Sequence, residues 1–326
     1  MPQYNHRFGR HPETGWQVVY LECVSDDPSE TTTAMFTPEV GCNLLSFQVG
    51  GTDYMYDLDW DKGTPAILGT PILYPMPNRV RDARFSFEGR AFTFTPNNGP
   101  HFIHGLVRDA PWTCDEPIVS EDGIAVTARI TFEPGSEMYR LFPIRNSLEL
   151  TYTLKPRSLT LAFRVRNQDA RWKLPFGLAI HPYFRIIGPR ESIRLQVPVK
   201  RLMEASEKMP TGRLIDLAGG PADLSEPRSL SGLDLDNVFW GADPDRPQVI
   251  YYDQIGKKLT LRASDLFTHC VVYTPAGRPF FCIENQSCST DAHNLYARGL
   301  EEAAHLTILD PGESLAASIE IAVGEQ

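Results

Sequence analysis

The sequence predicts an all-β protein, a large antiparallel β-sandwich formed as one domain over residues 1–326. Three observations carry this. Apolar residues recur with a period of two along much of the chain, amphipathic helical stretches are scarce, and 27 prolines with 24 glycines punctuate short runs.

In chain order, Phe85 and Phe87 face Phe92 and Phe94 across Glu88-Gly89, which predicts a hairpin turning at those two residues. Ile124, Val126, Ala128, Ile130 and Phe132 predict a long strand with one buried face. Leu148, Leu150, Tyr152 and Leu154 alternate before Lys155-Pro156-Arg157-Ser158, and Leu159, Leu161, Phe163 and Val165 alternate after it. This is a second hairpin. Ile193 to Val199 and Leu315 to Val323 repeat the pattern. The stretch AGGPADLSEPRSLSG, 218–232, reads as a long surface loop near the functional site. The best helical stretch, Ala292 to Ala304, is interrupted by Gly299.

A chain with 42% hydrophobic and 22% charged residues has an ordinary globular balance. Its formal net charge of -10, without a Lys/Arg block, argues against a nucleic-acid partner. No apolar run is long enough to cross a bilayer, and MPQYNHRFGRHPETGW lacks the apolar core of a signal peptide. The expectation is a cytoplasmic monomer or homodimer with no membrane partner. Cysteines 23, 42, 114, 270, 282 and 288 show neither CxxC nor zinc spacing and are expected to be buried, reduced thiols. Asn285-Gln286-Ser287 matches a glycosylation acceptor, which has no meaning without export.

Five polar clusters are expected at strand ends or in adjoining loops: Asn78-Arg79, His101 to His104, His181, Asp234 to Asn237, and Glu284-Asn285. Glu284 follows Pro279-Phe280-Phe281-Cys282-Ile283, where a carboxylate is costly to bury unpaired. It reads either as a strand-end side chain reaching solvent or an arginine, or as a general base. His181, in GLAIHPYF, reads either as a packed ring or as a proton donor, since imidazole titrates near neutrality. On an extended chain His101 and His104 point apart, so no metal is expected, and no phosphate loop or serine elbow calls for a cofactor. Asp234 and Asp236 share a face if extended, or lie in a solvated loop.

Asn78-Arg79-Val80, Asn98-Gly99 ahead of His104-Gly105 with Trp112 downstream, His181-Pro182-Tyr183-Phe184, Asp236 before Val238-Phe239, and Tyr273-Thr274 ahead of Glu284 resemble, in order, the motifs of the aldose 1-epimerases (galactose mutarotases). The resemblance spans roughly residues 75 to 295. It implies an antiparallel supersandwich that interconverts hexose anomers by ring opening and closure, with a sugar as its small-molecule partner. It also implies Glu284 as catalytic base, His181 as acid, and Arg79, His104, Asp236 and Asn78 as sugar-binding residues. Two departures bear on the substrate. Val271 stands where members often carry glutamine, and His104-Gly105-Leu106-Val107-Arg108-Asp109 is closer to hexose-6-phosphate epimerases than to the usual His-Gly-Gly. A phosphate would be framed by Arg79, Arg81 and Arg108. If Arg81 and Arg108 instead pair with carboxylates such as Asp82 or Asp109, a neutral aldose is expected. A glycosidase using Glu284 with Asp236, and a non-catalytic carbohydrate-binding protein, are the other readings.

Overall fold

The computed structural model describes residues 2–59 and 66–326. Period-two alternation becomes three principal antiparallel sheets. The N-terminal one has five strands in chain order: Gln3–Arg10, Gln17–Val24, Thr32–Thr37, Asn43–Val49 and Thr52–Asp53. A ten-stranded sheet is centred on Gly123–Phe132, Asn146–Lys155, Ser158–Asn167, Ser314–Glu325 and Lys257–Ala263. An eight-stranded sheet runs Met209–Asp216, Arg201–Ser206, Asp236–Trp240, His269–Tyr273, Phe280–Gln286, Ala179–Ile180 and Ile72–Leu73, and Tyr183–Arg185 also pairs with Phe280–Gln286. Leu148, Leu150 and Phe163 from the ten-stranded sheet, Phe239, Val272, Phe281 and Ile283 from the eight-stranded sheet, and Phe36 and Phe47 share one buried cluster. The sheets are therefore layered over a common apolar core.

Both predicted hairpins form. Asn146↔Asn167 through Lys155↔Ser158 pair without a slip, and Glu88 and Gly89 take the successive positive φ angles of 47 and 75 that a tight two-residue turn requires. Elsewhere the sequence reading needs correction. The strand from Ile193 stops at Gln196 because Pro198 has no N–H to donate, and Val197 N donates instead to Leu224 O at 2.7 Å. The 218–232 segment is more than a surface loop. Leu224 and Leu230 are buried, and Arg228–Ser229 pairs with Ile193–Gln196 in the ten-stranded sheet. The helical stretch is two short helices, Ala292–Ala297 and Glu301–Ala304, parted at Gly299 with φ 77. All six cysteines are free, but Cys114 is only half-buried. Asn285 is fully buried, so its acceptor motif is inaccessible. No helix among the described residues is long and apolar enough to cross a membrane.

The strand Phe280–Gln286 carries the candidate residue Glu284. Phe281 and Ile283 enter the core, so strand alternation turns Phe280, Cys282, Glu284 and Gln286 to the other face. Its end is locked to the segment before His181: Leu178 N donates to Ser287 Oγ and Ser287 N donates to Leu178 O, both at 2.8 Å. Ser287→Ala leaves a buried N–H unpaired and is expected to lower stability by about 1–3 kcal/mol. Urea unfolding checks this, and an unchanged midpoint would show the lock to be idle.

Candidate active site

Register alone brings the main candidates together. Val238 pairs with Val271, and Val271 with Glu284. On the far side of the Glu284 strand, Ala179 pairs with Gln286 and Tyr183 with Cys282. Counting inward from both pairs sets His181 opposite Glu284. Pro182 removes a ladder donor there, which splits this edge into Ala179–Ile180 and Tyr183–Arg185. The next row on the same face reads Asp236, Tyr273, Cys282, Tyr183. The predicted placement at strand ends is thus corrected for Glu284, which lies within its strand. The candidate site is a sheet face.

His181 Nε2 lies 3.3 Å from Glu284 Oε1, and both side chains are buried, with residue exposures of 7% and 2%. Gln286 Nε2 donates to Glu284 Oε2 at 3.2 Å. The Tyr183 ring stacks on His181 with centroids 4.6 Å apart, and His104 meets His181 edge-on at 5.2 Å. Burial pushes the His181 imidazole down to about 4 and holds the Glu284 carboxyl well above its ordinary range. Burial, then the neighbouring His181, also depresses His104. The buried Nδ1 atoms of His104 and His181 have no hydrogen-bond partner among the described residues. Such groups usually have one.

Arg79 approaches from a second segment. Its Nε donates to Asn98 Oδ1 at 3.0 Å and its Nη1 to Asn78 Oδ1 at 3.2 Å, and its positive charge favours ionisation of Glu284. Asn78 is buried with φ 56, a conformation asparagine tolerates. Its carbonyl accepts from His104 N at 3.0 Å, linking the two motifs. His104 and Gly105 follow with φ 71 and 70, and a Cβ on Gly105 would fall 2.5 Å from Tyr74 O, so glycine is required there. Asp236 is exposed at the far end of its row, paired with Lys208 Nζ at 2.7 Å.

The arginines that would frame a phosphate do not line up. Arg79–Val80 is a two-residue strand, after which Arg81–Ala83 turns as a 3-10 helix, so Arg79 and Arg81 share no strand face. Arg81 pairs with buried Asp291 at 3.5 Å and not with Asp82, while Arg108 pairs with Asp109 at 2.9 Å. His101 Nδ1 accepts from Asp82 N, away from His104. Sequence reasoning missed Gln286, Tyr183, Lys208 and Asp291. Gln286 and Tyr183 were legible as i+2 neighbours of Glu284 and His181. Nothing in sequence signalled that Asp291 N donates to Arg79 O while its Oδ1 accepts from Arg81 N. A separate groove of about 500 Å³ on the N-terminal sheet, lined by Asn5, Glu22, Gln48 and Asp53 among others, contains none of the predicted residues.

The buried pair makes a pH prediction. Glu284, raised above 4.5, contributes stability that is full below 4.5 and lost as pH rises toward its folded value. His181, lowered from 6.5 to about 4, contributes stability present above 6.5 and lost as pH falls toward 4. Glu284→Gln abolishes the first contribution and, through the 3.3 Å contact, also perturbs the second. The melting temperature of the variant relative to the parent is therefore expected to rise as pH climbs above 4.5, the ordinary carboxyl value. A difference independent of pH would contradict a raised Glu284.

The profile of the family described as aldose 1-epimerase matches residues 26–322. An uncharacterised Escherichia coli (strain K12) protein, YphB, is 28% identical over 262 residues, covering 77% of this chain and 82% of that protein. The Sus scrofa galactose mutarotase is 27% identical over 158 residues, 47% of this chain and 44% of that protein. In fold, the chain resembles a galactose mutarotase-like protein from Clostridium acetobutylicum, with a TM-score of 0.84 at 18% identity over 100% of this chain and 99% of the other. With the ordered motifs and a family match across nearly the whole chain, this protein belongs to the aldose 1-epimerase family.

Proposed function

We propose that the protein interconverts the α and β anomers of a neutral hexose, with Glu284 as base and His181 as acid. The observation that carries this reading is the buried Glu284–His181 pair, 3.3 Å apart on one sheet face. Ring opening needs a base to take the C1 hydroxyl proton and an acid to protonate the ring oxygen. Burial favours the neutral carboxylic acid and the neutral imidazole in the free protein. The working form, carboxylate and imidazolium, carries the same single proton on the other partner. Binding therefore needs only to shift that proton; the Gln286 hydrogen bond, and then the Arg79 charge, assist by favouring the carboxylate against burial and the opposing charge of Asp236. Opening then leaves the C1 proton on Glu284 and a neutral His181, which is the tautomer that burial favours. After rotation about C1–C2, closure runs both transfers in reverse on the other face.

Arg79, His104 and Asp236 would hold sugar hydroxyls, with Asn78 and Asn98 orienting Arg79. Tyr273, Cys282 and Tyr183 would floor the site beside the catalytic row. The neutral substrate is supported by the engagement of Arg81 and Arg108 with Asp291 and Asp109, and by a relative that bears the name of a mutarotase for galactose, an uncharged sugar.

Polarimetry on freshly dissolved aldoses tests the reading. Glu284→Gln and His181→Asn are each expected to keep the fold and to lower kcat at least about a hundredfold. Near-parental turnover in either variant would remove the role assigned to that residue. Glucose is expected to outperform glucose 6-phosphate, and a strong preference for the phosphate that collapses in Arg108→Ala would reverse the substrate assignment.

A further inference from the structure

We propose that Lys208 is a positioning residue for this reaction, clamping Asp236 so that the carboxylate stays on the sheet face for a sugar hydroxyl. The proposal rests on the reading of Asp236 as a sugar ligand. It begins with a ladder that stops early. The strand Arg201–Ser206 pairs with Asp236–Trp240 only at Arg201↔Trp240 and Leu202↔Phe239. Its pairing with Met209–Asp216 then shifts register between Met203 and Ala205, an irregularity of the kind that bends a strand and redirects a hairpin tip.

The tip itself is defined. Ser206 pairs with Met209, so Glu207 and Lys208 form a two-residue turn, with φ 51 and 65. Met203 and Met209 are buried and anchor the stem. The lysine leaving this turn reaches Asp236 Oδ2 at 2.7 Å. Its side chain is 61% exposed and that of Asp236 36% exposed, at the solvent end of the Asp236–Tyr273–Cys282–Tyr183 row. A short carboxylate at that position can turn to water. Pinning one oxygen limits that freedom and leaves the other as an acceptor, so ordering is completed before the sugar arrives. Arg79 is held by Asn98 and Asn78; Lys208 would do the same service for Asp236.

The test is a double-mutant cycle read as KM and kcat on the best neutral aldose of a panel. An exposed ion pair carries a modest effect, so Lys208→Met is expected to raise KM about two- to fivefold with kcat within about twofold. Lys208→Arg should restore the parental KM. In an Asp236→Asn background, Lys208→Met should change KM little, because the clamp has lost its object. An equal rise in both backgrounds would mean that Lys208 meets the sugar directly, and no rise in the parent would mean an idle ion pair; either overturns the proposal. Parental KM in Asp236→Asn alone would overturn the reading of Asp236 as a ligand. It is thus distinguishable from failure of the clamp. Unaltered melting curves for the Lys208 variants would exclude loss of fold as the cause of a changed KM.

Discussion

The Glu284–His181 pair at the heart of the candidate site depends on antiparallel register across the strand Phe280–Gln286. Two known pairings, Ala179 with Gln286 and Tyr183 with Cys282, fix His181 opposite Glu284. A slip of one residue would send Glu284 into the core and Ile283 to the site face. The core prevents this, because Phe281 and Ile283 on one strand and Cys270 and Val272 on the next are buried in the same cluster. Apolar packing on one side of the sheet thus aligns polar chemistry on the other.

The second constraint is electrostatic. A buried carboxylate or imidazolium is unfavourable alone, and a pair that keeps one proton between them avoids a net buried charge. The surroundings extend this logic. Glu284, Asn285, Gln286, Ser287, Ser289, Thr290 and Asp291 are all buried, an unusual density of polar groups for a core segment. Several are tied to particular partners: Asn285 donates to Gln248, Ser287 holds the Leu178 backbone, and Asp291 anchors the turn carrying Arg79 and Arg81. This segment joins Glu284 on its strand to the turn beside Arg79, whose charge favours the Glu284 carboxylate.

Much of the fold was legible in the sequence because two-residue alternation marks strands directly, as at Asn146–Lys155 and Ser158–Asn167. Legibility failed where backbone chemistry overrides hydrophobic pattern. Val197 and Val199 continue the alternation, yet Pro198 ends the ladder, and Leu224 and Leu230 draw an apparently polar loop into the core. The candidate residues were nameable from motif order, but their placement on a sheet face was not, since alternation gives faces and not neighbours. Glu284 and His181 are more than a hundred residues apart in the chain, and only the pairing of their strands sets them side by side. Arg81 shows the same limit: its partner is Asp291, not adjacent Asp82.

The most direct test of the account is a crystal structure of the protein with its preferred aldose bound. The sugar is expected on the eight-stranded sheet face over Val271, Tyr273 and Cys282. Its C1 oxygen should lie within hydrogen-bond reach of the Glu284 carboxylate, about 2.6–3.2 Å, and its ring oxygen within the same reach of His181 Nε2. A sugar seated there with its anomeric carbon turned away from both residues, or bound only in the groove of the N-terminal sheet, would contradict it.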